Sequence, residues 1–284
     1  MTRPPSVALG EAGYPALLAQ IYDPPRRLYL RGMGHELLTG PCVAVVGARS
    51  CSTYGAQVAR TLGRELAAAG AVVVSGLARG IDAEAHRGAL EARGGTLAVL
   101  GCGIDRDYPR SHAELARRIA EAGLIVSEYP PGVEPAPWRF PARNRIVAGL
   151  SLATVIVEAR ERSGALITAD FALEEGRDVF AVPGEITAAL SAGTNALLRS
   201  GAAPLLSPDD VLAAIGLERA PPSPPPTKGA AGAVLALLRD TPAGVDELVA
   251  RSGMVAERVA AALVELELEG LAREGEGLWR AAPT

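Results

Sequence analysis

Between residues 41 and 205 the chain alternates short apolar runs with longer amphipathic stretches. The runs are Cys42–Val46, Val72–Ser75, Thr96–Leu100, Leu124–Ser127, Ala153–Val157, Asp178–Val182 and Ala203–Leu205. Helical patterns separate them at Tyr54–Ala69, Asp82–Arg93, His112–Ala122, Pro141–Leu150, Ala165–Glu175 and Asn195–Ser200. Strands that read as unbroken apolar runs are covered on both faces. Their alternation with helices predicts an α/β fold, a doubly wound and mostly parallel sheet spanning residues 41–216. Residues 1–40 hold turn-rich pieces at Gly13-Tyr14-Pro15 and Asp23-Pro24-Pro25, with one short helical pattern near Pro15 to Ile21. They read as an irregular extension packed on the core. Residues 217–228 include Pro221-Pro222-Ser223-Pro224-Pro225-Pro226, a stiff linker by composition. Three helical patterns follow, Ala230–Leu238, Val245–Arg251 and Ala256–Glu269, then two strand-like pieces, Leu271–Arg273 and Gly277–Arg280. This order predicts a winged-helix-like domain over residues 229–284.

Composition narrows the class. At 284 residues, 49% hydrophobic and 21% charged, the chain is globular and long enough for more than one domain. Its start lacks a basic-then-apolar signal pattern, and its apolar runs are too short to cross a membrane, so a cytoplasmic protein is expected. Cys42, Cys51 and Cys102 share no Cys-x-x-Cys spacing, and His35, His86 and His112 are scattered. Reduced thiols are expected, with no zinc site, no Cys–His nucleophile pair and no cofactor. A net charge of −4 counts against indiscriminate nucleic-acid binding, so any such contact needs a local patch. The last domain cannot supply it. Residues 228–284 carry six basic side chains against nine acidic ones, and Arg258 sits among Glu257, Glu265, Glu267 and Glu269. Such a recognition helix would repel a duplex, which favours a protein-binding or autoregulatory role.

The candidate chemistry gathers at Pro137-Trp138-Arg139-Phe140-Pro141-Ala142-Arg143-Asn144-Arg145-Ile146. Prolines 135, 137 and 141 predict an extended approach, with Trp138 and Phe140 on one side, Arg139 on the other, and a helix from Pro141. On that helix Arg143 shares the stripe of Ile146, Val147 and Leu150, while Arg145 points elsewhere. Guanidinium forks suit phosphates and rings suit unstacked bases, a combination fitted to single-stranded nucleic acid. The bland alternative is a loop clipped to the core by Trp138 and Phe140, with solvated arginines.

In a doubly wound sheet, ligands sit at the carboxyl ends of the strands. The loop there after the first apolar run, Gly47-Ala48-Arg49-Ser50-Cys51-Ser52-Thr53-Tyr54-Gly55, opens a helix whose start favours an anion. Arg49 replaces the second glycine of a dinucleotide fingerprint, which suits a phosphate held at side-chain distance; a merely capped helix start is the alternative. In Ser75-Gly76-Leu77-Ala78-Arg79-Gly80-Ile81-Asp82, Asp82 reads as a helix cap, and Ser75 and Gly76 leave room for a ligand backbone. Gly101-Cys102-Gly103 lacks a third glycine at dinucleotide spacing. Ser163 and Gly164 form a second anion nest, and Glu158, Glu174 and Glu175 are awkwardly placed for a carboxylate pair. No triad, metal cluster or Walker lysine is visible. The pattern points to binding rather than turnover.

Taken in order, GARSCSTYG (47–55), SGLARGID (75–82), AVLGCGIDRDYP (98–109), SEYPPG (127–132), FPARNRIVAGLS (140–151), EARERSGALITADFALEEGRDVFAVPG (158–184) and GTNALLRSGA (193–202) resemble the DNA-processing protein A family, also called DprA or Smf. The resemblance covers about residues 10–210. It implies an extended Rossmann-type domain that binds single-stranded DNA without cutting it. It further implies a role in natural transformation, protection of incoming strands, loading of a RecA-type recombinase, and a homodimer formed through the Rossmann domain. The family's phosphate-contacting arginine lands on Arg49, its second-loop pair on Ser75 and Gly76, and its aromatic and basic pocket on Phe140 to Arg145, with Arg139 nearby. The expected DNA contacts are therefore Arg49, Arg139, Arg143 and Arg145 on phosphates and Phe140 on a base. The helix starts at Ser50 and Ser163 would add backbone donors, with Asn144 and Gly164 beside them. The helical N-terminal domain of many relatives has no match, His112 stands where many carry asparagine, and prolines precede Trp138 where relatives offer a lysine. The rival reading, a Rossmann-type phosphoribohydrolase, needs a Pro-Gly-Gly-x-Gly-Thr-x-x-Glu loop, and Glu161 to Thr168 lacks its glycine pair and its glutamate.

Overall fold

A computed structural model describes residues 4–218, 229–268, 271–275 and 277–281. The chain divides into two compact units, Met1–Arg219 and Ala220–Thr284. Most of the proline-rich linker expected at 217–228 lies outside the described residues.

In the first unit the strands, in chain order, are β1 (Ser6–Ala8), β2 (Arg27–Gly32), β3 (Cys42–Val46), β4 (Val72–Ser75), β5 (Thr96–Leu100), β6 (Leu124–Ser127), β7 (Ala153–Ile156), β8 (Asp178–Ala181) and β9 (Ala203–Pro204). They form one sheet in the order β1-β2-β6-β5-β4-β3-β7-β8-β9. Every pairing from β6 to β9 is parallel, while β1–β2 and β2–β6 are antiparallel. Period-two alternation sends Val43 and Val45 to one face and Cys42, Ala44 and Val46 to the other, and both faces are buried. The first face packs on α2 (Thr53–Ala68) and α3 (Ile81–Glu91), with α4 (Ala113–Ala122) further along. The other packs on α1 (Ala16–Ala19), α5 (Arg139–Leu150) and α6 (Gly164–Glu174). Helices α7 (Ala192–Arg199) and α8 (Pro208–Ala214) flank β9, α8 starting on a Ser207–Asp210 capping box.

Two differences from the sequence reading have physical causes. Residues 6–32 are not wholly irregular: β1 and β2 extend the sheet past β6, with turns and the short helix α1 between them. Leu28 and Leu30 face the core while Arg27, Tyr29 and Arg31 are partly exposed. This half-buried alternation is easily lost beside the continuous runs of the central strands. Helix α5 starts at Arg139 rather than Pro141, so Pro141 occupies the first turn, where its missing N–H costs nothing. Trp138 and Phe140 consequently do not share the face of an extended segment.

The second unit is a winged helix: α9 (Ala230–Asp240), α10 (Val245–Ser252), α11 (Ala256–Leu268) and a hairpin of β10 (Ala272–Gly275) with β11 (Leu278–Ala281). Val234, Leu235, Leu238, Leu248, Val259, Leu263 and Leu266 make its core. Gly253, at φ 68°, ends α10 in the left-handed conformation. Among the described residues no helix is long and apolar enough to cross a membrane.

Candidate nucleic-acid interface

Strand order reverses between β3 and β7, which lie side by side although the chain leaves them toward opposite edges of the sheet. A crevice opens at the carboxyl ends of strands flanking such a point. Here it measures about 330 Å³ and is walled by the loops after β3, β4 and β7 and by the start of α5. Backbone bonds stitch the walls together: Ala48 N donates to Glu158 O at 2.8 Å and Ile81 N to Ala48 O at 3.2 Å. A side chain at Gly47 would meet that Glu158 carbonyl at 2.9 Å, so the closeness of the loops requires glycine there.

Eight of the expected residues line this crevice: Arg49, Ser50, Gly76, Phe140, Arg143, Asn144, Ser163 and Gly164. Asn144 donates to the Gly164 carbonyl at 3.0 Å, joining α5 to α6, and Ser163 caps α6 by accepting from Ala165 N at 3.3 Å. Phe140 is half-buried and stacks on Tyr108, with centroids 5.1 Å apart and planes inclined 25°. The Arg49 guanidinium lies 5.5 Å from the same ring. A Cβ at Gly101 would stand 2.9 Å from Phe140 Cδ1, so glycine follows β5 where α5 passes it.

Arg143 is only 4% exposed yet reaches the crevice floor. Its guanidinium donates to the Val99 carbonyl and covers Gly76 so closely that any side chain there would overlap it. Burial lowers the Arg143 pKa, and the nearby Asp82 carboxylate opposes that. Asp82 does not cap α3 as the sequence suggested. Its Oδ2 accepts from Gly76 N at 3.1 Å and Ala78 N at 3.3 Å, pinning the loop that precedes the helix. Leu77, held there in the left-handed region at φ 58°, has its carbonyl bound by His112 Nδ1 at 3.0 Å. A carbonyl only accepts, so that nitrogen carries the proton. Beneath lies His86, whose Nδ1 donates to Thr96 Oγ1 at 2.7 Å, while Thr96 in turn donates to Val73 O. Burial first, then Arg143 and His112, lower the His86 pKa to about 3, so its imidazole is neutral.

Three expected residues do not reach the crevice. The Ser75 hydroxyl is buried and donates to the Val45 carbonyl at 2.7 Å. Arg145 is held by Glu128 at 2.8 Å and Asp23 at 3.0 Å, with its side chain 13% exposed; it is a strut between α5 and the N-terminal segment. Arg139 lies between the rings of Trp138, 4.7 Å away, and Tyr129, 5.0 Å away, and donates to the Glu134 carbonyl. Trp138 is 62% exposed and clips nothing to the core. The helix start expected at Ser50 falls at Thr53, and it is occupied from within. Ser52 caps it through Gly55 N at 3.0 Å, and the buried Glu158 carboxylate accepts from Ser52 N at 2.9 Å. That helix N-terminus holds an internal anion.

The structure adds cations that sequence reasoning passed over. Arg160 and Arg162 line the crevice, and Arg79 and Arg110 line an adjoining hollow of about 210 Å³ that shares Arg49, Phe140 and Arg143 with it. Arg160-Glu161-Arg162 was visible as a charged loop after β7; nothing local showed which way it faced. Arg49, Arg79, Arg110, Arg160 and Arg162 are all exposed and, among the described residues, none has a carboxylate within ion-pairing distance. Elsewhere on this unit several arginines are paired, Arg31 with Asp107 at 2.8 Å, Arg106 with Glu134 at 2.7 Å and Arg117 with Glu114 at 2.5 Å, while Arg26, Arg93, Arg118 and Arg199 are exposed without an ion pair among the described residues. In a chain of net charge −4, the crevice concentrates uncompensated positive charge.

These features define an extended Rossmann-type α/β protein with an appended winged-helix domain, its switch-point crevice built from guanidinium groups and rings. The profile of the DNA recombination-mediator protein A family matches residues 6–216, and that of the DprA winged helix domain matches residues 218–277. The chain belongs to the DNA recombination-mediator protein A family. It is 47% identical over 213 residues to the DNA processing protein DprA of Streptococcus pneumoniae, covering 74% of this chain and 73% of that one. It is 40% identical over 269 residues to the protein Smf of Escherichia coli, covering 90% and 72%. Among solved structures it resembles S. pneumoniae DprA with a TM-score of 0.71 at 46% identity, over 74% of this chain and 73% of that one. It resembles DNA processing protein A of Helicobacter pylori, solved for its single-stranded DNA binding mode, with a TM-score of 0.67 at 34% identity, over 75% and 97%.

Proposed function

We propose that this chain is a non-catalytic single-stranded DNA-binding protein that protects the strand and assists the loading of a RecA-type recombinase, in DNA processing and natural transformation. The observation that carries this reading is the set of five unpaired arginines around the Phe140–Tyr108 pair. Guanidinium groups without internal partners are free for phosphates, and a ring pair at their centre offers stacking surface to an unstacked base. Arg49, Arg160 and Arg162 take the phosphates, Arg143 presents its guanidinium from the floor, and Asn144, Ser163 and Gly164 form the polar wall. Arg145 and Ser75, each engaged within the fold, stay outside the binding set, and Arg139 belongs to a separate aromatic cluster.

The two buried carboxylates of the crevice loops support binding over hydrolysis. Asp82 is held by two backbone amides and Glu158 by Ser52, so both are occupied in structural bonds. A homodimer and a cytoplasmic location complete the proposal; the three cysteines are free thiols, consistent with a reducing compartment. Titrating a labelled oligonucleotide, single- and double-stranded, across a salt series tests the central point. Tight, salt-sensitive binding of the single strand in preference to the duplex is the expected result. Absence of binding at low salt overturns it and turns attention to nucleotide hydrolysis.

A further inference from the structure

We infer that the strand's path continues past the crevice, into a second nucleotide site at the carboxyl ends of β7 and β8 where Tyr54 stacks on a base. The inference rests on the single-stranded DNA reading above. A hollow of about 680 Å³ opens there, lined by Tyr54, Arg160, Pro183, Glu185 and Leu190 among others. Arg160 and Leu190 also line the crevice, so the two spaces adjoin along a shared wall. A cation at that wall, exposed and without a carboxylate partner among the described residues, is placed for the phosphate linking one nucleotide to the next.

Tyr54 is the second residue of α2 and is 55% exposed. Among the described residues its ring has no aromatic or guanidinium partner, unlike Phe140, which has both. The ring is nevertheless carried on a fixed support, because Ser52 and Glu158 lock the helix start beneath it. The opposite wall is equally set. Gly184 is bracketed by Asn195, which accepts from its N–H at 3.2 Å and donates to its carbonyl at 3.0 Å. A side chain at Gly184 would collide with Ser191, so the wall has no room to thicken. With α2 already holding the Glu158 carboxylate at its N-terminus, the phosphate falls to Arg160 and the base to Tyr54. An aromatic platform of this kind tolerates any base.

The test compares full-length wild type with Tyr54→Ala and Tyr54→Phe, titrated with fluorescent oligothymidylates from about 4 to about 16 nucleotides. Tyr54→Ala is expected to lose roughly 5- to 100-fold in affinity for the longest oligomers and nothing for the shortest, which the crevice alone accommodates. Tyr54→Phe keeps wild-type affinity, and the salt slope of Tyr54→Ala stays unchanged because no charge is removed. Equal affinity of wild type and Tyr54→Ala at every length overturns the second site and leaves the crevice reading standing. An equal loss at every length also overturns it, since Tyr54 would then act within the crevice. Failure of wild type to bind at any length overturns both.

Discussion

The crevice of the α/β unit and the winged-helix unit belong to architectures often used to meet nucleic acid, yet their charges are arranged differently. Around the crevice, exposed arginines have no carboxylate within ion-pairing distance among the described residues, while Asp82 and Glu158 are buried and bonded to the loops. On the winged helix, Arg251 is neutralised by Glu247 at 3.4 Å and Asp240 at 3.8 Å. Its other described arginines, Arg239, Arg258, Arg273 and Arg280, are exposed without an ion pair among the described residues, and exposed Glu257, Glu265, Glu267 and Glu274 accompany them. Net charge of a domain is thus a poor guide to binding. What differs is whether unpaired cations gather around one hollow or are interspersed with exposed carboxylates.

That contrast breaks most readily at the arginines. Arg49→Ala/Arg160→Ala/Arg162→Ala should weaken single-strand binding on the order of 100-fold at low salt and flatten the salt slope by about 2. A slope equal to wild type would remove these side chains from the phosphate path. Phe140→Ala takes away ring surface but no charge. It should cost about 1–3 kcal/mol of affinity at an unchanged slope, and no measurable loss would return Phe140 to the core.

Acid separates the units by stability. His86, buried and neutral with its pKa lowered to about 3, binds a proton in the unfolded chain near pH 6.5 but not in the folded one. The unfolded state therefore takes up more protons between those values. The stability due to His86 is complete above about pH 6.5 and falls as pH drops, by about 1.4 kcal/mol per pH unit. All three histidines lie in the α/β unit, and each unit contains one tryptophan, Trp138 and Trp279. Single-tryptophan variants, Trp279→Phe and Trp138→Phe, report each unit separately in urea melts. Between pH 7 and about 5 the Trp138 transition should move to lower denaturant and the Trp279 transition should hold. A stationary Trp138 midpoint would mean that His86 is not desolvated as described. The smallest effect belongs to the winged helix: deleting residues 220–284 should change single-strand affinity by less than about threefold, since the six basic side chains of residues 228–284 are outnumbered by nine acidic ones. A tenfold loss would show that this unit contributes to the DNA path.

Much of this architecture was legible without coordinates. The continuous apolar runs identified β3 to β8 and the helices between them, because a strand buried on both faces leaves a signature that neighbours along the chain cannot disguise. The half-buried β1 and β2 escaped because their partners lie far away in sequence: Leu30 opposes Val126. The same distance explains the site. A stretch of ten residues announced cations and rings, and the motif order supplied the family resemblance. Helix periodicity separated Arg143 from Arg145, but both were expected on phosphates until Glu128 and Asp23 were brought beside Arg145 and Asp82 beside Arg143.

The sequence by itself determined the doubly wound sheet, the winged-helix module and the loops where a ligand would sit, since these follow from local periodicity and from strand order. Only the tertiary structure decided which arginines remain free, that Asp82 and Glu158 secure the loops, and that Tyr108 stands against Phe140. Such pairings are made between residues tens of positions apart, and pairing determines whether a charge faces its ligand or its own fold.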